Sequence, residues 1–163
     1  MGFSDTYKQT TDSPEQTKAL AAKLAHFAAA DDVIVLTGDL GAGKTQFTQG
    51  FAAALGVAGG TGEGVVSPTF NILLSYEDGR LPLFHFDLYR LDDASQLEDV
   101  GFYDALDQGG VTLIEWGDRF EDELPDDRLL VNITADSDGV RTLCATAFGS
   151  RSAELLNLWQ GGE

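Results

Sequence analysis

The stretch Gly38-Asp-Leu-Gly-Ala-Gly-Lys-Thr45 sets three glycines, a lysine and a hydroxyl within eight residues, in the order G-x-x-x-x-G-K-[ST]. Each residue type has a use in holding phosphate. Gly38, Gly41 and Gly43 permit positive φ and let the backbone approach phosphate oxygens closely, so that Asp39, Leu40 and Ala42 contribute through their main chain. Lys44 has the charge and reach to bridge β- and γ-phosphates, and the Thr45 hydroxyl suits one position on Mg²⁺. A helix beginning here adds the positive end of its dipole.

The flanking residues supply the elements such a loop needs. Before it, Val33-Ile-Val-Leu-Thr37 is a short apolar, β-branched run suited to a buried parallel strand. After it, Phe47, Phe51 and Leu55 recur every four residues on one face of a helix that should stop near Gly56. Strand, loop and helix come in the order that phosphate binding requires.

A phosphate loop also needs a carboxylate near Mg²⁺, held at the end of a neighbouring strand. Glu115 closes the apolar run Val111-Thr-Leu-Ile-Glu115 and is the preferred metal carboxylate, directly or through water. Asp87, near the end of Leu81–Tyr89, is the second candidate, for holding metal-bound or attacking water. In a chain with 27 acidic residues, capping or salt bridging is the ordinary role for either. Ser67-Pro-Thr69 lies after the first loop–helix unit, where Thr69 could sense a γ-phosphate; a turn shaped by Pro68 is the plainer reading. Trp116 is a candidate cover for the nucleotide, although a Trp after a strand usually belongs to core or rim. Arg90 is a candidate charge-stabilising finger, and His85, alternating with Phe84 and Phe86, reads as a structural histidine. Glu15 precedes the loop strand and is a candidate neighbour of the base; it equally suits an exposed first helical turn.

No His/Cys cluster points to zinc, and no Ser–His–Asp arrangement stands out. Lys8, Lys18, Lys23 and Lys44 are the only lysines, and none lies in the [NT]-K-x-D pattern of guanine recognition, which favours ATP over GTP. Six scattered arginines form no arginine-rich lid of the kind that small-molecule kinases use.

The formal charge is −17, with 10 basic against 27 acidic residues, and no basic stripe is available to neutralise a run of phosphates. Tight direct binding to nucleic acid is therefore not expected; the acidity favours solubility and identifies no partner. At 163 residues, 43% of them hydrophobic, the chain is expected to form one α/β domain. About twelve N-terminal residues and the last few are expected to be mobile. The single Cys144 excludes an intrachain disulfide, and no apolar run has the length of a membrane span or signal core. These features point to a cytoplasmic protein, with a monomer favoured.

Along the chain, Ser13-Pro-Glu-Gln16 starts a helix that carries Leu20, Leu24 and Phe27 and ends at Asp31-Asp32. Asp78-Gly79 joins Asn71–Glu77 to Leu81–Tyr89 as an antiparallel hairpin. Asp92-Asp93 caps a helix over 94–107, and Val111–Trp116 forms the strand beside the loop strand. Asp126–Thr134 and Val140–Phe148 are two further strands, and Ser152 starts a last helix with Leu155, Leu156 and Trp159. The expected fold is a mixed, mostly parallel sheet with an antiparallel hairpin and helices on both faces.

G-D-L-G-A-G-K-T at 38–45, S-P-T-F at 67–70, H-F-D-L-Y-R-L at 85–91 and I-E-W at 114–116 occur in the order and spacing of one family. Together with Gly101-Phe-Tyr-Asp104 and Leu124-Pro125, they closely resemble the bacterial TsaE (YjeE) family over about residues 13–158. Asn71, where threonine is the more usual residue, is a peripheral departure, and the strong acidity is no family signature.

The resemblance implies a P-loop fold, weak Mg²⁺-dependent hydrolysis of ATP, and activity within a complex that makes threonylcarbamoyladenosine in tRNA. The implied partners are the TsaD and TsaB proteins, which carry out the transfer, with tRNA met only indirectly. It also implies phosphate and metal roles for Lys44 and Thr45, a metal role for Glu115, and a switch role for Thr69. Asp87 and Trp116 fall in the surrounding active region, and Glu15 near the nucleotide. A small-molecule P-loop kinase and a nucleotide-dependent binding switch are the alternatives.

Overall fold

The computed structural model describes residues 6–38, 43–57, 73–88, 91–136 and 138–161. Seven strands form one sheet: β1 (Thr6–Thr11), β2 (Val33–Thr37), β3 (Leu73–Tyr76), β4 (Leu83–Asp87), β5 (Val111–Glu115), β6 (Arg128–Ala135) and β7 (Arg141–Phe148). Their order is β1-β7-β6-β2-β5-β4-β3. The centre, β6-β2-β5-β4, is parallel, and both margins are antiparallel. Helices α1 (Pro14–Phe27), α2 (Lys44–Leu55) and α5 (Ser150–Gly161) cover one face. Two short helices, α3 (Ser95–Asp99) and α4 (Phe102–Leu106), and a 3₁₀ segment (Gly117–Glu123) pack on the other. The expected α/β sheet, with helices on both faces and β3–β4 as its hairpin, is what forms.

The chain folds this way because β2, β4 and β5 are buried on both faces. Ile34, Leu36, Val111 and Leu113 meet Phe47, Phe51 and Leu55 of α2, while Val35, Phe84, Phe86 and Ile114 meet Leu97 and Phe102. Each fully buried Phe or Leu contributes about 1.5–3 kcal/mol. Helices α1 and α2 pack closely because Gly50 has no side chain: a Cβ there would lie 2.3 Å from the Lys18 carbonyl oxygen. Gly56, at φ 93°, ends α2. Ser13 caps α1, its hydroxyl accepting from Gln16 N at 3.1 Å.

Several boundaries differ from the expectations. The N-terminal stretch expected to be mobile instead contributes β1, because the edge of β7 offers unpaired backbone and Tyr7 finds the Trp159 ring at 5.2 Å. Helix α1 stops at Phe27, before Asp31-Asp32; Arg80 donates to the carbonyls of Ala25 and Ala28 at 2.8 and 3.1 Å and satisfies its end. The helix expected over 94–107 is two helices, broken at Gly101, which has φ 80°. Helix α5 begins at Ser150, two residues before Ser152, because the Asp127 carboxylate accepts from Arg151 N and Ser152 N at 2.9 and 2.8 Å. Asn71 and Tyr89, at the ends of the hairpin strands, lie outside the described residues.

Candidate active site

The C-terminal ends of β2, β4 and β5 and the N-terminus of α2 bring the candidate residues together. Gly38 follows β2 at φ 137°, and a Cβ on it would lie 2.1 Å from the Ile133 carbonyl oxygen, so only glycine fits. Gly43 stands before α2 at φ 110°. Asp39, Leu40, Gly41 and Ala42 lie outside the described residues, as do Thr69 with its Ser67-Pro68 neighbours, and Arg90.

Lys44 is the first residue of α2, and its side chain is 6% exposed. Its Nζ donates to the Gly38 carbonyl at 2.9 Å and sits 4.5 Å from the centre of the Trp116 ring. It lies 4.0 Å from Glu115 Oε1, beyond hydrogen-bond length. A buried ammonium held by a carbonyl, a ring face and a distant carboxylate is poised to accept a closer anion. Thr45, in the same first turn of α2, is exposed.

Glu115 and Asp87 are the last residues of adjacent parallel strands and are paired in register, so both carboxylates leave the sheet on the α2 face. Both are buried, at 4% and 3% exposure. Leu36, at the end of β2, is the other neighbour of Glu115. Trp116 follows directly in the left-handed region, at φ 62°. That conformation costs a non-glycine residue roughly 1–3 kcal/mol and brings the indole under the Lys44 ammonium.

His85 lies two residues before Asp87 on β4 and so shares its face. Its Nε2 is 2.6 Å from Glu115 Oε2, with both side chains buried. It is buried, as a structural histidine is, and its partner is the carboxylate that the sequence favours for the metal. The i, i+2 spacing to Asp87 was the available signal. The contact to Glu115 spans 30 positions and has no local signature.

Two recesses flank the loop. The larger, about 490 Å³, opens on the sheet face opposite α2 and is walled by Val35, Leu124, Leu130 and Phe148. Lys44, Trp116, Arg128 and Asn132 bring polar groups to it, and Asn132 accepts from the Thr37 hydroxyl at 2.8 Å. The smaller, about 50 Å³, lies beside Gly43 between Ser13, Pro14, Thr17, Gln46, Gly139 and Arg141. Glu15, exposed in the first turn of α1, does not line it.

The donor set suits a hard cation that is completed by ligand oxygens. Among the described residues, no group of three or more His, Cys, Asp or Glu side chains could hold a metal. Mg²⁺ typically takes one or two carboxylates and fills its octahedron with phosphate oxygens and water. Glu115, Asp87 and the Thr45 hydroxyl fit that pattern. Among the described residues, no helix is long and apolar enough to cross a membrane.

The sequence model of the Threonylcarbamoyl adenosine biosynthesis protein TsaE family matches residues 11–143. The chain is 46% identical to the tRNA threonylcarbamoyladenosine biosynthesis protein TsaE of Bacillus subtilis over 144 residues, covering 88% of this chain and 87% of that protein. It is 34% identical to the protein of the same name from Rickettsia felis over 146 residues, covering 90% and 82%. The crystal structure of Bacillus subtilis YdiB superposes with a TM-score of 0.76 at 39% identity, covering 94% of this chain and 93% of that one. The sheet, the glycine–lysine loop and its facing carboxylates thus sit in a chain that belongs to the TsaE family of tRNA threonylcarbamoyladenosine biosynthesis.

Proposed function

We propose that this chain is an ATP-binding and ATP-hydrolysing subunit, dependent on Mg²⁺, that acts on a complex of TsaB and TsaD proteins during threonylcarbamoyl modification of tRNA. The observation that carries the proposal is the placement of Lys44. It opens α2 directly after the glycine loop, is nearly buried, and lies 4.0 Å from a carboxylate at the end of the neighbouring strand. A lysine so placed has one evident use, which is to meet the oxygens of a terminal phosphate.

On this reading the N–H groups of the loop and of the first turn of α2 cradle the phosphates, and Lys44 leaves the Gly38 carbonyl to neutralise charge on the γ-phosphoryl group. Thr45 and Glu115 would hold Mg²⁺, which would supply neutralisation of phosphate charge. Glu115 or Asp87 orients the water that attacks, giving ADP and phosphate. Thr69 stands in the segment that senses the γ-phosphate. Among the described residues the site has no lid and no basic surface, which fits a subunit whose turnover is governed by partners. The proposed setting is the cytoplasm.

The test is phosphate release from Mg·ATP by the purified chain. Slow release is expected, abolished by EDTA and reduced at least 10²-fold by Lys44→Ala. Release that Lys44→Ala leaves unchanged would overturn the proposal. The 490 Å³ recess reaching Lys44 favours a second reading, transfer of the γ-phosphate to a small acceptor. ADP formation that requires one added metabolite would support it.

A further inference from the structure

His85 is a buried polar group beneath the loop that the proposed reaction does not use. It is 1% exposed in the middle of an apolar sheet, where a polar ring is costly unless it is satisfied. Its Nδ1 is buried and has no hydrogen-bond partner among the described residues. Its Nε2 makes a 2.6 Å contact with Glu115 Oε2. The ring therefore forgoes one hydrogen bond while holding one carboxylate oxygen.

We infer that His85 is a positioning residue for Glu115; the inference rests on the proposed Mg·ATP reading of the site. A carboxylate has no proton to give, so the bond requires Nε2–H as donor, with Nδ1 left unpaired among the described residues. This tether fixes Oε2 toward β4 and keeps Oε1 4.0 Å from Lys44 Nζ. Without the tether, nothing else among the described contacts holds the carboxylate off the ammonium. Direct pairing of the two would occupy both charges that the site needs apart. A partner that orients a ligating carboxylate in this way typically changes metal affinity about 10–100-fold when removed.

Two measurements test this. The chain has only two histidines, and His26 is exposed in the last turn of α1, so ¹⁵N-histidine labelling of the wild type separates them without substitution. The expected spectrum shows His85 protonated on Nε2, in slow exchange with water, and shifted by Mg·ADP. An Nδ1–H tautomer, with Nε2 bare, would overturn the inference.

The second measurement is the Mg²⁺ concentration for half-maximal ATP hydrolysis, together with Mg·ADP affinity by calorimetry. His85→Leu should weaken both by about 10–100-fold, whereas His85→Gln, whose amide can donate from the Nε2 position, should recover most of the loss. Equal losses in the two variants, or no change in Mg²⁺ dependence, would leave His85 a packing residue. A wild-type chain that bound no Mg·ATP would instead overturn the reading of the site, and this inference with it. If His85→Leu does not fold, the tautomer of the wild type decides the matter.

Discussion

At the scale of residues, the site is a set of charges kept near one another without being fully paired. Lys44 rests on the Gly38 carbonyl and the Trp116 ring, and Glu115 is turned toward His85. Both side chains are buried, so a close Lys44–Glu115 pair would have little reason to open, whereas a gap of 4.0 Å leaves both available. This arrangement gives an optical prediction. Phosphate binding should draw the Lys44 ammonium away from the indole of Trp116 and change its emission. Trp159 is fully buried and bonded to the Leu20 carbonyl at 2.9 Å, so it should stay constant. Trp116→Phe should therefore abolish the nucleotide-dependent change, and a change that persisted in that variant would contradict the contact. Little of this was legible in the sequence beyond the identities of Lys44, Glu115 and Trp116. The strand-end rule finds a carboxylate, but the backbone angle of Trp116 and the bond from His85 arise from β4 and β5 lying side by side, which no local pattern encodes.

At the scale of elements, helix packing and capping hold the loop in place. Gly50 lets α1 and α2 approach until backbone meets backbone. By helix propensity alone, Gly50→Ala should stabilise the chain by about 1 kcal/mol. The overlap with Lys18 should reverse the sign, with a net loss of about 1–3 kcal/mol. Denaturant unfolding decides between them, and a stabilised variant would contradict the packing described.

Asp127, just before β6, caps α5. Burial alone would raise its carboxyl, but the Ser152 hydroxyl, the N–H groups of Arg151 and Ser152 and the guanidinium charge outweigh it and hold it below the ordinary carboxylate value. A lowered value means that the cap stabilises the fold above about pH 4 and that this contribution fades as the pH falls below it. Asp127→Ala should cost about 1 kcal/mol at pH 7, with the gap narrowing below pH ~4. A gap independent of pH would contradict the assignment. The central elements were legible because their signals are local: β-branched runs for β2 and β5, a Phe–Phe–Leu face for α2, and Asp78-Gly79 for the hairpin. Strand β1 was not, since Thr6–Thr11 is mostly polar and becomes a strand only because β7 leaves an edge open. The break at Gly101 was hidden for a related reason: a glycine within an apolar period states its φ only when the chain is folded.

At the scale of the whole molecule, the acidity and the architecture point the same way. With −17 formal charge, and with Arg128 and Arg151 engaged with Glu121 and with Asp32, the chain has little basic surface for tRNA. A role in tRNA modification is then best served through proteins that themselves hold the tRNA, as in the proposed partner complex. The most direct test is ATP turnover by the purified chain with and without its cognate TsaB and TsaD proteins, with Lys44→Ala measured in parallel. Slow turnover alone, a large rise when both partners are present, and loss of that rise in Lys44→Ala are expected. Turnover that bound partners leave unchanged would contradict the proposal.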